Sequence, residues 1–236
     1  MNVLVIPDVH LKPYMFDRAT ELLNEGIAQN AVCLMDIPDN WGQYFNLDLY
    51  KKTYDRAIRF AKDFPSALWC YGNHDLSYEW GRLETGYSPY AEAIAVTKLH
   101  RLRSELPSPD SIAFIHRIDN VLFLHGGLTQ SFVKTHIEPE KYDDTDYVIG
   151  AVNKLSADEL WDDGSPLWFR PQNYIKAMYK EDELIQVVGH TPVKEITKTG
   201  CVISCDVFSE YKDGTPIGIK KYPVIDTVTG DFKITD

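Results

Sequence analysis

Short apolar runs alternate with longer amphipathic stretches in the first half of the chain. The runs "NVLVI" (2–6), "AVCLM" (31–35) and "SALWCY" (66–71) are rich in β-branched and large apolar residues and predict three strands. Between them, residues 15–29 carry Leu22, Leu23 and Ile27 on one side of a helix, and residues 47–64 form a strongly amphipathic helical pattern. A β-α-β-α-β order predicts parallel strands joined by helical crossovers. In such a sheet, ligands bind beyond the carboxyl ends of the strands.

The second half reads differently. Residues 89–106 predict a helix. Residues 111–127 predict two strands joined by a tight turn at Asp119-Asn120, and residues 142–161 predict another helix. A buried strand follows at 184–190. Two hairpins follow it, turning at Thr199-Gly200 and Thr229-Gly230. No repeat, low-complexity tract or linker interrupts the pattern. The expectation is one layered α/β domain over residues 1–236, parallel early and antiparallel late.

Composition narrows the function. At 236 residues, 44% hydrophobic and 25% charged, the chain can bury a sizeable core. Its net charge of -11 disfavours duplex nucleic acid and anionic membrane surfaces, which recruit clustered cations. A small nucleotide held through metal ions stays compatible. Cys33, Cys70, Cys201 and Cys205 form no CxxC pair and read as reduced core thiols. The start "MNVLVIPDVH" lacks a signal-peptide pattern, and no apolar run reaches bilayer length, so the expectation is a cytoplasmic protein.

The chemistry sits where the apolar runs stop. The first strand ends at Asp8 and His10, and the second at Asp36, Asp39 and Asn40. The third ends at Asn73, His74 and Asp75, and two later ones end at His125 and His190. Any one of these has a bland reading as a cap, turn residue or structural histidine. Five strand exits bearing ligand-type groups, on one sheet edge, point to a metal site. Carboxylates offset the charge of two divalent ions about 3.5–4 Å apart and can bridge them. Imidazoles favour Mn, Fe, Zn or Ni over Mg or Ca, and the lack of thiolates fits a catalytic site.

The motifs "DVH", "MDIPDN", "GNHD", "HGGL" and "GHTP", spread from residue 8 to residue 192, resemble those of the calcineurin-like metallophosphoesterases. The likeness is to their phosphoprotein phosphatase branch, with its bacterial and phage members and the diadenosine tetraphosphatases. The resemblance implies a layered α/β/β/α sandwich flanked by helices. It implies that Asp8 and His10 hold one metal, that Asp36 bridges, and that Asn73, His125 and His190 hold the second. His74 would be the general acid, with Asp75 orienting it, and metal-bound hydroxide would attack. The segment "SPLWFRP" (165–171) resembles one in which an Arg grips phosphate, a role that falls to Arg170. Manganese leads as the metal, with iron or zinc as alternatives.

The chain departs from the pattern at several places. Pro7 and Met35 stand where the family has Gly, Asn40 stands where the protein phosphatases have Arg, and Pro192 replaces the second His of the nuclease relatives. The expected substrate is a phosphate monoester, on a phosphoprotein or a small molecule. A dinucleoside polyphosphate or phosphodiester is the alternative, and a non-catalytic metal-binding scaffold is the alternative of another class. Trp41, Tyr44, Phe45, Tyr78, Trp80 and Tyr87 stack on a base, cover a peptide groove or pack the loops onto the core. His100 and His136 read as bland, and His116 as facing solvent from a strand.

Overall fold

The first strand, β1 (Asn2–Ile6), has Val3, Leu4, Val5 and Ile6 wholly out of solvent. Both faces are covered, as in a parallel strand between two layers. The structure is a computed structural model and describes residues 1–235. Helix α1 (Tyr14–Asn24) leads to β2 (Asn30–Cys33), and α2 (Leu47–Asp63) leads to β3 (Leu68–Cys70). Then come α3 (Asn73–Glu79), α4 (Glu92–Glu105) and β4 (Ile112–Ala113). Strands β1 to β4 pair in sequence, all in parallel.

The chain changes sheets at Phe114. β5 (Ile115–Ile118) and β6 (Val121–Leu124) pair antiparallel around Asp119, whose φ of 52° suits the tight turn. After α5 (Gln130–His136), α6 (Thr145–Val152) and α7 (Ala157–Leu160) come β7 (Ile185–Val188), β8 (Thr197–Thr199) and β9 (Val202–Ser204). The second sheet runs β5-β6-β7-β9-β8. Its inner strands β6, β7 and β9 are parallel, so the late half is mixed rather than antiparallel. The chain then returns to the first sheet as β10 (Tyr222–Asp226), antiparallel to β1, and β11 (Phe232–Thr235).

Alternation along β6 shows the layering. Val121 and Phe123 join the core shared with Val3, Val5, α1, α2 and α4. Leu122 and Leu124 join a second core with Phe132, Val148, Val152 and Leu160 from α5, α6 and α7. Period-two side chains thus put one sheet face on the other sheet and one on helices. The result is two sheets flanked by helices, the layered α/β architecture expected.

Some boundaries move. α1 stops at Asn24 because Gly26, at φ 75°, turns the chain, and Ile27 is left 40% exposed rather than on a buried face. The helix expected over 142–161 is two. It ends at Asn153, whose side chain accepts from the Phe114 and Ile115 amides and donates to the Ile115 carbonyl. Ser156 and Glu159 then form a capping box that starts α7. His116 is buried, its Nε2 2.9 Å from the Trp69 carbonyl, so it bridges the sheets instead of facing solvent. The four cysteines are buried and unpaired. Among the described residues, no helix is long and apolar enough to cross a membrane.

Candidate metal centre

The loops after β1 and β2 run together beyond the sheet. The Val9, His10 and Leu11 amides donate to the Met35, Asp36 and Ile37 carbonyls at 2.7–3.0 Å. This local ladder holds His10 and Asp36 side by side. The turns are tight enough that His10, Leu11, Met35, Asp36, Asp39 and His190 all take positive φ, between 42° and 63°. Residues other than glycine seldom do so, and such strain concentrates at functional sites. Met35, at φ 57°, occupies in left-handed form the position where the family pattern has glycine.

Two groups of ligand atoms result. Asp8, His10 and Asp36 form one, and Asp36, His125 and His190 form the other, each with its ligand atoms within 4.8 Å of one another. Asp36 belongs to both. Its Oδ2 lies 3.2 Å from His125 Nε2 and 3.8 Å from His10 Nε2. Asn73 Oδ1 lies 3.0 Å from His125 Nε2, and His190 Nδ1 lies 3.2 Å from it. All six expected metal residues therefore meet at one place.

The rings are held so that ligand nitrogens face inward. His125 Nδ1 donates to the Leu34 carbonyl at 3.0 Å, and His10 Nδ1 donates to the Asp39 carbonyl at 3.0 Å. Each leaves Nε2 as a lone-pair donor toward Asp36, the usual way a protein fixes the tautomer of a ligating histidine. Two glycines make room for the carboxylates. A Cβ at Gly72 would collide with Asp36 Oδ1, and one at Gly189 with Asp8 Oδ1. The His74 and His190 amides donate to Asp36 Oδ1 and Asp8 Oδ2 at 2.9 and 2.7 Å.

Electrostatics shows what the cluster lacks. Burial, then the charges of Asp206 and Asp36, push the Asp8 carboxyl well above the usual range. Burial also raises Asp36, but the surrounding imidazoles of His125, His74 and His10 outweigh it and hold that carboxyl low. Burial lowers His10 to about 3, and burial with the nearby His125 and Arg170 charges pushes His190 well down. Asp8 Oδ1, His190 Nε2 and Asp206 Oδ1 are buried without a partner. Buried lone pairs that converge without a donor call for a cation. The oxygen and imidazole donor set fits a divalent transition metal in each group.

His74 meets a different carboxylate from the one expected. Its Nδ1 lies 2.9 Å from Asp39 Oδ2, not from Asp75. Asp75 is one residue further round α3 and turns inward, where its Oδ1 accepts from the Ile37 amide at 3.2 Å. Asp39 is in turn held by the Tyr50 and Tyr78 hydroxyls, which donate to its Oδ1 at 2.7 and 2.5 Å. Burial lowers the His74 imidazolium, but the Asp36 charge and the Asp39 hydrogen bond and charge overcome it, and the value rises to about 9.

A cleft of about 460 Å³ opens over the centre, lined by His10, Asp36, His74, Arg170 and His190. Arg170 donates to the His190 carbonyl at 2.6 Å, at the cleft wall. Of the six aromatic residues noted in the sequence, Trp41 alone lines the cleft, 40% exposed. Tyr78 is buried and stacks on Tyr87 at 4.4 Å, and Tyr44 and Phe45 pack with Tyr90 outside the cleft. Sequence reasoning missed Asp39 as the partner of His74 and missed Asp206 altogether. The signal for Asp206 was there, since "VISCD" is another apolar run ending in a carboxylate.

A family model described as calcineurin-like phosphoesterase matches residues 1–217. No curated protein matches the chain significantly in sequence. Among solved structures, the cold-active protein-tyrosine phosphatase of the psychrophile Shewanella sp. is similar at 20% identity and TM-score 0.58, covering 100% of this chain and 80% of its own. A further structure of a cold-active protein-tyrosine phosphatase gives 21% identity and TM-score 0.53, covering 99% and 78%. These likenesses are of fold.

Proposed function

Because the chain belongs to the calcineurin-like phosphoesterase family, and is thereby a phosphoester hydrolase, we propose that it cleaves phosphate monoesters at a centre of two divalent cations. The observation that carries this reading is Asp36, shared by two groups of ligand atoms. Asp8, His10 and Asp36 would hold one cation, and Asp36, Asn73, His125 and His190 the other. Manganese is the first choice, with iron or zinc as alternatives. Bound there, the cations would polarise the phosphoryl oxygens and make water a usable nucleophile near neutral pH.

The residues of the chain do the rest. Arg170, at the cleft wall, offers a planar fork of donors for phosphate oxygens. With His74 Nδ1 committed to Asp39, Nε2 is the nitrogen left to hand a proton to the leaving-group oxygen. Pro192 lines the cleft where nuclease relatives have a second histidine, which supports a monoester over a diester. Trp41 favours a second reading, a nucleotide or dinucleoside polyphosphate whose base stacks on that ring. Buried, unpaired cysteines support a cytoplasmic setting.

The test is steady-state hydrolysis of p-nitrophenyl phosphate, its bis-ester, a phosphoserine peptide and diadenosine tetraphosphate, with Mn²⁺ and with a chelator. Manganese-dependent turnover of monoesters above diesters is expected. Preference for the dinucleotide would install the second reading. No turnover of any ester by a metal-loaded protein would overturn catalysis in favour of a metal-binding scaffold.

A further inference from the structure

Asp206 lies just past β9, as Asp8 and Asp36 lie just past β1 and β2. It lines the cleft with His10 and Asp36, yet is only 1% exposed. Its two oxygens are treated differently. Oδ2 accepts from the Ser209 hydroxyl at 2.9 Å, while Oδ1 is buried and has no partner. No side chain of the motif set explains that free oxygen.

Its surroundings are acidic on one side and basic on the other. Among the charges acting on Asp8, that of Asp206 is the largest, ahead of Asp36. Lys12, 4% exposed, offsets part of the Asp206 charge. Lys12 is itself engaged, 3.2 Å from the His10 carbonyl and 3.9 Å from Glu210. Three buried carboxylates, Asp8, Asp36 and Asp206, therefore act on one another, Asp206 most strongly on Asp8 of the Asp8–His10–Asp36 group, although His125 also offsets part of its charge, and burial gives each a strong demand for a counter-charge. The His125 and His190 side has one carboxylate and two imidazoles. Asp206 belongs to neither tight group of ligand atoms, so it supplements them rather than replacing a member.

We propose that Asp206 is an additional anionic residue of the Asp8–His10–Asp36 subsite, raising its affinity for a divalent cation through its charge and its free oxygen. The proposal rests on the reading that this subsite holds such a cation. It predicts an asymmetric centre, with a more anionic subsite at His10 and a more imidazole-rich one at His125. A structural role predicts something different. If Asp206 only anchored Ser209, its loss would loosen the 206–209 turn and leave cation binding alone.

The experiment is calorimetric titration of Mn²⁺ into the metal-stripped full chain and its D206N variant, with thermal melts of each. Outer partners of a metal site typically change affinity about 10- to 100-fold when mutated. One binding step is expected to weaken by about that factor in D206N while the other is unchanged. The metal-free melting temperature should hold or rise, since a buried unpaired charge has gone and the amide oxygen can still accept from Ser209. S209A removes the anchor but keeps the charge and should bind Mn²⁺ like the unsubstituted chain. Unchanged isotherms in D206N, or an equal loss in S209A, would overturn the proposal. If D206N does not fold, D206S is read in its place against the same outcomes. Failure of the unsubstituted chain to bind Mn²⁺ at all would overturn the functional reading as well, which separates the two.

Discussion

His74 follows Asn73, a proposed metal ligand, in sequence, but is placed for different work. Its ring is not in either group of ligand atoms, and its Nδ1 is bound to a carboxylate held by two tyrosine hydroxyls. Holding Asp39 Oδ1 with Tyr50 and Tyr78 leaves Oδ2 in one position, so the imidazole has one orientation. A proton donor matters most when the leaving group is a poor one, since a good leaving group departs unaided. His74→Asn is therefore expected to leave Mn²⁺ binding intact and to slow turnover of alkyl phosphates by about 10²- to 10⁴-fold. The loss should be much smaller for p-nitrophenyl phosphate. Asp39→Asn should move the same ratio in the same direction by less, because the ring keeps a hydrogen-bond acceptor but loses the charge. Equal losses on activated and unactivated esters, measured as kcat/KM, would remove His74 from the acid role.

Strand ends are the elements that make the site, and glycine sets how closely they approach. Gly72 has φ -94° and ψ 158°, a conformation open to any residue, so its identity is demanded by space alone. Gly72→Ala would drive a methyl into Asp36 Oδ1 and the Asp36 amide. Overpacking of this kind costs about 1–3 kcal/mol, and here it should also weaken Mn²⁺ binding, measured by denaturant unfolding and by titration. Gly26→Ala is the contrast. Gly26 faces open space but sits at φ 75°, so its substitution should cost about 1–2 kcal/mol with metal binding untouched. The same elements show what the sequence could reveal. Short apolar runs stopping at Asp8, Asp36, His125 and His190 were readable, because both strand and ligand are local features. α3 was not, since Gly72 gives it no side-chain cap and it spans seven residues. Its presence is why Asp75 turns away from His74. The sheet change at Phe114 and the helix end at Asn153 depend on a hydrogen-bonded contact between distant segments, which no local pattern reports. Asp206 lay in a run read only as a hairpin.

At the scale of the molecule, the centre joins the two sheets. Asp8, His10, Asp36 and Asn73 extend from strands of the first, while His125, His190 and Asp206 extend from strands of the second. The sheets already share an apolar core. The metal-free centre nevertheless opposes that packing. It gathers buried carboxylates: burial first, and then their mutual repulsion, raises Asp8 and brings Asp206 up to about 6. A divalent cation bound there would replace this repulsion with attraction between groups from both sheets. It should bind the folded chain far better than the unfolded one, and so stabilise it. At a hundredfold excess over Kd, one such site adds about 2.7 kcal/mol. For a chain of this size that is a rise in melting temperature of about 5–11 °C. The measurement is a thermal melt with Mn²⁺ against one with a chelator, followed by restoration with fresh Mn²⁺. A rise that saturates with metal and is reversed by the chelator is expected. Identical melts in the two conditions would mean that no cation links the sheets, and the dinuclear centre would have to be given up.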